Sequence, residues 1–331
     1  MKILIYSPSF YPNIGGIEIL TLNLAKAFKL FGHEVVVLTK SISDGSSTEI
    51  NIIYKPVTSE FVKYYSWCDV FYLLNLSLKI CWLMLLNPFK KWVVSHNTWY
   101  FNPEQPNYIL ATIKQLFLFK VTNISVSNIL AKSIWAKSIV IHNCYNNNLF
   151  KNLRSVRSRD FLFVGRLVSS KGCVDLIEAF KTVLESYPNS KLSVVGNGPE
   201  ESLIRNKVNE LKIDNSVDFL GPKSQVDIGS IMNEHKCLVV PSVGTEAFGI
   251  VVLEGLACGC MILSSDSTGL VEAGDKFSIQ FQARNVTEMA AQMKLILNDD
   301  TNINFSDEEL VDYLKIHNVK YIAEKYLNLF P

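Results

Sequence analysis

The sequence predicts an α/β protein made of two doubly wound parallel sheets, and three observations carry that prediction. Apolar runs of four to six residues alternate with amphipathic helical stretches along the whole chain. Its 331 residues suit two domains of ordinary size. The alternation is interrupted once by bases, at Lys151, Arg154, Arg157 and Arg159, before a new apolar run opens at Phe161. The junction is therefore expected near Phe150, with domains at 1–150 and 151–331.

In the first half the expected buried strands are Lys2–Tyr6, Glu34–Leu38, Val70–Leu74 and Trp92–Ser95. In the second they are Phe161–Val164, Lys191–Val195, Val217–Leu220, Cys237–Val240 and Cys260–Leu263. Between the first two lies a helix over Gly16–Phe31, where Leu20, Leu24, Ala27 and Phe31 share one face. Val70–Phe89 is the one membrane-like stretch, but Lys79 and Pro88 interrupt it, so a buried strand followed by a core helix is expected. A last helix spans about 307–327, opened by Ser306 with Glu309 at the capping-box position. It follows the second sheet, with a return toward the first domain as the alternative.

With 48% hydrophobic and 19% charged residues, disordered and fibrous classes are excluded. The net charge of +1 is unevenly spread. Residues 1–150 hold 13 lysines, no arginine and 7 acids; 151–331 hold 19 bases and 24 acids. The first half, at +6, suits an anionic partner, but its lysines are too scattered for nucleic acid. Seven cysteines without C-x-x-C spacing are expected as buried thiols in a reducing cytosol. Pro8 comes too early for a signal-peptide core, which points to a cytoplasmic chain.

Four segments carry candidate chemistry. After the first strand, the loop from Ser7 ends in Gly15-Gly16 at a helix start, where backbone amides and the helix dipole suit an anion. It lacks the G-x-G-x-x-G spacing of a dinucleotide fold, and a plain tight turn is the alternative. In the second half, Gly165-Arg166 and then Lys171-Gly172 set two cations beyond a strand and at a helix start, an arrangement that fits a diphosphate. Solvated surface cations are the alternative there. Val194-Val195-Gly196-Asn197-Gly198-Pro199 repeats the strand–turn–helix form and indicates only α/β.

The most informative segment runs from Val240 to Gly259, with Glu246 in a loop and Glu254 in an apolar helix from about Gly249. Eight residues of helix would part the two carboxylates by ~12 Å. That exceeds the ~5–5.5 Å of a retaining glycosidase pair, so two subsites are expected, one acid at a sugar and the other at a ribose.

Jointly, Gly15-Gly16, Gly165-Arg166 with Lys171-Gly172, Glu246-Ala-Phe-Gly with Glu254 and Cys258-Gly259, and Gly269-Leu-Val-Glu272 resemble the retaining glycosyltransferases of family 4. The resemblance implies the GT-B fold, two Rossmann-like domains facing a cleft. It also implies a nucleoside-diphosphate-sugar donor, with Arg166 and Lys171 on the diphosphate, Glu246 on the sugar hydroxyls, Glu254 on the ribose and the amides near Phe248-Gly249 facing sugar or phosphate. In Val94-Ser95-His96-Asn97, His96 matches the family's active-site histidine and would contact the donor sugar; a satisfied structural histidine is the alternative.

Two departures stand out. Asn97 occupies a position where the family usually has Asp, and Ile141-His142-Asn143-Cys144-Tyr145 lacks the glycine of the family's Pro-Asn-Gly run. No D-x-D occurs, so no metal and no other cofactor is expected. The acceptor is expected to be a saccharide, a lipid-linked one of a bacterial surface glycan. A peripheral contact with the inner face of an anionic membrane goes with it, made by the bases and aromatics of Tyr64-Tyr65, Trp82, Phe89–Trp92, Trp99–Phe101 and Lys114–Lys120. The alternatives for function are a sugar-nucleotide epimerase of the same fold or a non-catalytic glycosyltransferase partner. Core packing is the alternative for the aromatics.

Overall fold

The structure is a computed structural model and describes residues 1–12, 15–45, 48–100, 107–301 and 304–330. It divides into two units, Met1–Cys144 with His317–Pro331, and Tyr145–Ile316. Both are doubly wound parallel sheets with helices on either face, as the alternation predicts.

In chain order the first unit holds β1 (Lys2–Ser7), α1 (Gly16–Leu30), β2 (Glu34–Thr39), β3 (Asn51–Tyr54), α2 (Thr58–Trp67) and β4 (Val70–Leu74). A 3-10 run, Leu78–Leu85, follows, then β5 (Lys91–His96), α3 (Tyr108–Leu118), β6 (Thr122–Ser125), α4 (Asn128–Ser133) and β7 (Ser138–Val140). The sheet order is β3-β2-β1-β4-β5-β6-β7. β1 and β4 are buried along nearly their whole length, which is why they read as continuous apolar runs. The edge strands β3 and β7 are half-buried, and β6 carries Thr122, Asn123 and Ser125, so none shows that signal. The expected core helix after β4 is a 3-10 run, with Ile80, Cys81 and Leu83 inward.

The second unit runs β8 (Arg159–Val164), α5 (Cys173–Leu184), β9 (Leu192–Val195), α6 (Glu201–Glu210), β10 (Val217–Gly221), α7 (Gln225–Glu234) and β11 (His235–Val240). It continues through α8 (Ile250–Ala257), β12 (Met261–Ser265), α9 (Thr268–Gly274), β13 (Ser278–Phe281), α10 (Val286–Leu297) and α11 (Asp307–Lys315). The order is β10-β9-β8-β11-β12-β13. The strand sequence reverses between β8 and β11, so the loops after those two strands flank the unit's switch point, where ligands of such sheets bind.

Two boundaries differ from expectation. Phe150 is fully buried, and the Leu149 carbonyl lies so close to Gly229 that a Cβ there would come within 2.8 Å. These residues therefore open the second unit and do not close the first. The basic segment is an anchor: the Arg157 guanidinium donates to the carbonyls of Met232 (3.2 Å), His235 (2.6 Å) and Cys258 (2.7 Å), the last at the C-terminus of α8.

The expected final helix is two. Ser306 and Glu309 form the capping box of α11, which ends at Lys315. Asn318 then caps α12 (Val319–Leu327), which packs on α1 in the first unit. Its Tyr326 ring lies 5.5 Å from Tyr72 and 6.5 Å from Phe28, and the two hydroxyls of Tyr326 and Ser95 are 3.0 Å apart. An amphipathic face that suited one long helix is thus split, because Ile322, Ala323 and Tyr326 bury in a different core. All seven cysteines are free and buried, as expected.

Candidate active site

The switch point of the second unit gathers most of the residues singled out by the sequence. Beyond β8, Gly165 continues the strand's pairing with Val195, and the exposed Arg166 side chain has no partner among the described residues. A 3-10 turn, Ser169–Lys171, ends at Gly172 with φ +67. A Cβ there would lie 1.9 Å from the Pro241 carbonyl oxygen, so only glycine permits this turn to pack on the end of β11. The contact is sealed by the amides of Val243 (2.9 Å) and Gly244 (3.2 Å), both donating to the Ser170 carbonyl.

That packing brings Lys171 to Glu246. The Lys171 ammonium is ion-paired with Glu246 Oε1, both side chains partly buried, and Ser242 Oγ donates to the same oxygen at 2.7 Å. The Glu246 loop is held from the other side by α9. Gly269 N donates to the Glu246 carbonyl at 3.2 Å, as does Thr268 Oγ1 at 3.2 Å, while Ser267 Oγ donates to the Gly244 carbonyl at 2.6 Å. A Cβ on Gly269 would come within 2.5 Å of the Phe248 amide nitrogen, which accounts for the glycine of Gly269-Leu-Val-Glu272. Ser242, Ser267 and Thr268 were not singled out by sequence reasoning; their signal, hydroxyls on each side of an acidic loop, is too common to read alone.

Phe248 is buried and anchors the loop, and Gly249, with φ +105, begins α8. The amides of Ile250 and Val251 meet no acceptor among the described residues, as expected of a first helical turn. Glu254 lies one turn further into α8, partly accessible yet crowded by apolar neighbours. Burial pushes its carboxyl up to about 7, and no cation offsets this among the described residues. Glu246 and Glu254 therefore occupy different environments, one paired with a cation and one without. Among the described residues, no group of three or more His, Cys, Asp or Glu side chains is placed to hold a metal ion.

The remaining candidates belong to the first unit. Gly15 caps α1 and Gly16 opens it, exposed, with nothing within 4 Å of where a Cβ would stand. The Glu18 carboxylate of the first turn lies against Gly15, so an acid of the chain itself stands at this helix terminus. Asn13 and Ile14 of the same loop lie outside the described residues.

His96 ends β5 and is wholly buried. Its Nε2 donates to Asn123 Oδ1 (3.1 Å), and its Nδ1 accepts from the Tyr100 hydroxyl (2.8 Å), which in turn accepts from the Leu76 amide (3.1 Å). The tautomer follows from Asn123, whose Nδ2 is committed to the Leu118 carbonyl. Burial lowers the imidazole to about 4, so it is neutral at pH 7. In this arrangement His96 is a structural link, and contact with a sugar would require the Tyr100 hydroxyl to leave Nδ1. Asn97 has a physical reason to be amide and not acid, because its Nδ2 donates to the Ser95 carbonyl at 3.3 Å, an acceptor that a carboxylate could not satisfy.

The sequence profile described as glycosyl transferases group 1 matches residues 145–313, about half the chain and nearly the whole second unit. The chain belongs to this family. Among curated relatives of this group 1 chain, glycogen synthase of Mycobacterium tuberculosis is 27% identical over 142 residues, 42% of this chain and 34% of that protein. The chain thus spans about a third of the length of such relatives. A phosphatidylinositol N-acetylglucosaminyltransferase polypeptide of Arabidopsis thaliana is 24% identical over 308 residues, 82% of this chain and 69% of its own. Among solved structures, HepE of Anabaena in complex with UDP and glucose superposes with a TM-score of 0.83 at 18% identity, covering 99% of each chain. The fold is that of the GT-B glycosyltransferases, with two Rossmann-like units.

Proposed function

We propose that the protein is a retaining glycosyltransferase of family 4 that moves a sugar from a nucleoside-diphosphate sugar to a saccharide acceptor. The observation that carries this reading is the junction of Lys171 with Glu246 at the β8/β11 switch point, with Arg166 on the same strand end and Glu254 in α8. A cation pair, open helix amides and two acids in unlike environments match the parts of a sugar nucleotide: diphosphate, sugar hydroxyls and ribose hydroxyls. The UDP and glucose found with HepE support the same donor class.

In the proposed reaction the bond between the anomeric carbon and the donor phosphate oxygen breaks, and the nucleoside diphosphate leaves with the electron pair. The acceptor oxygen bonds to that carbon on the same face, and its proton passes to the leaving phosphate. Arg166, Lys171 and the first amides of α8 stabilise the charge that develops on the phosphate. Glu246 holds the sugar through its hydroxyls, and Glu254 accepts from the ribose. The acceptor we favour is a lipid-linked saccharide of a bacterial surface glycan, made at the cytoplasmic face.

Thermal shift against a panel of nucleoside diphosphates tests the reading, because a ligand at 100 times its Kd stabilises by ~2.7 kcal/mol. No shift with any of them would remove it. Arg166→Ala is expected to weaken nucleoside-diphosphate binding by ~1.5 kcal/mol, the lower end for a charged hydrogen bond because the side chain is exposed. Melting should not change, and unaltered affinity by calorimetry would detach Arg166 from the phosphate. Turnover is expected to persist in EDTA, since cations of the chain itself take the leaving charge. Activity lost in chelator and restored by Mg²⁺ would contradict this.

A further inference from the structure

The bases and aromatics of the first unit separate into two groups once the fold is known. Tyr65 and Trp92 are core residues, joined by the Trp92 Nε1 to Tyr65 hydroxyl bond of 2.9 Å. Tyr100 lies beneath the Lys114 ammonium, 5.4 Å from its ring centre. Phe101 lies outside the described residues. What remains at the surface is a different set, organised by α3.

α3 is amphipathic in the inverted sense. Its buried stripe is Ala111, Gln115 and Leu118, and Gln115 is wholly enclosed, donating to the Ser133 carbonyl (2.9 Å) and accepting from the Trp135 amide (3.0 Å). Its opposite stripe is Ile109, Ile113 and Leu116, exposed by 75%, 41% and 57%. A helix that encloses an amide and shows three branched aliphatics to water has its apolar face directed at something other than its own core.

The 3-10 run lies on the same side of the sheet, because its Ile80, Cys81 and Leu83 share one buried cluster with Leu118 of α3 and Tyr65 of α2. The two elements are neighbours because Cys81 of the run and Leu118 of α3 belong to that one buried cluster. The run and the turn after it add Trp82, Leu85 and Phe89, the last 95% exposed. Residues 70–140, which contain both elements, hold seven lysines and a single acid, Glu104. Lys79 and Lys120, beside the apolar stripes, are exposed.

We propose that this face, α3 together with the Leu78–Phe89 segment, docks the protein on an anionic lipid bilayer. Apolar side chains flanked by lysines, with almost no acid nearby, match the two attractions of an interfacial helix: burial of aliphatic groups at the headgroup boundary and attraction to anionic lipid. A partner protein of mixed charge would leave the lysines without a matching surface. No helix among the described residues is long and apolar enough to cross a membrane. The docking face uses residues outside the β8/β11 site and does not depend on the proposed reaction.

The test is co-sedimentation of the full chain with vesicles of phosphatidylcholine alone, and of phosphatidylcholine with one third phosphatidylglycerol. Binding is expected to the anionic vesicles only and to weaken as salt is raised. Ile113→Ser with Leu116→Ser should lower it about ten-fold without changing the melting temperature. Leu203→Ser, an equally exposed leucine of α6 in the second unit, should leave it intact. Equal binding to both vesicle types, or full binding by the double variant, would overturn the proposal. So would self-association that the double variant abolishes in the absence of any vesicle binding, which would make the face a contact between copies.

Discussion

Glu246→Gln is expected to lower turnover by about 10²–10³-fold while nucleoside-diphosphate affinity holds or rises. The asymmetry follows from the ion pair. Glu246 neutralises Lys171, so replacing the carboxylate with an amide of equal size frees the ammonium for phosphate. Ser242 Oγ can still donate to the amide oxygen, and the loop stays tied to Ser267, Thr268 and Gly269. The fold should therefore survive. The sugar hydroxyls lose their charged acceptor at the step where positive charge grows on the anomeric carbon. Lys171→Ala should weaken nucleotide binding, and the double variant should be less impaired than two independent losses would make it, because the residues touch. Turnover unchanged in Glu246→Gln, or nucleotide affinity lost with it in equal measure, would take Glu246 away from the sugar.

Glu254→Gln is expected to act in two opposite directions. The carboxyl sits at about 7 in the folded chain against an ordinary 4.5, raised by burial. Between those pH values the folded protein keeps a proton that the unfolded chain has released, so stability falls as pH rises from about 4.5 to 7, and the full cost is present above 7. That cost is at most about 3 kcal/mol, and partial access to solvent reduces it. The amide cannot ionise. The variant should therefore melt above the parent at pH 8 and together with it at pH 4.5. Nucleotide binding should move the other way, about ten-fold weaker in the variant, since ribose hydroxyls lose an ionised acceptor. In the parent that advantage should grow from pH 6 to pH 8 as Glu254 ionises. Because the ligand titrates identically with both proteins, the ratio of their affinities isolates Glu254. A ratio independent of pH would mean that Glu254 does not meet the nucleotide.

Much of the scaffold was legible because buried parallel strands announce themselves. Val70–Leu74 and Phe161–Val164 appear where continuous apolar runs placed them, and the Ser306 and Glu309 capping box opens α11 as its spacing implies. The strands that escaped, β3, β6, β7 and β13, are short, polar or half-buried, and a strand that buries one face incompletely has no distinctive pattern. The Pro-poor stretch from 307 to 327 read as one helix since periodicity is local and carries no information on which core receives each turn.

By itself the sequence determined the residue chemistry and its local settings: a cation beyond β8, glycines at tight approaches, an acid in a loop and another inside an apolar helix. Tertiary structure decided which of them meet. Lys171 and Glu246 are 75 positions apart, and they touch because β8 and β11 become neighbours at the point where strand order reverses, which no local pattern encodes. It also decided that Glu254 lacks a cation among the described residues and that His96 is neutral with both ring nitrogens engaged. It decided that α3 turns its aliphatic stripe outward. Each of these depends on surroundings drawn from distant parts of the chain, and desolvation and pairing are properties of those surroundings, not of the residue that feels them.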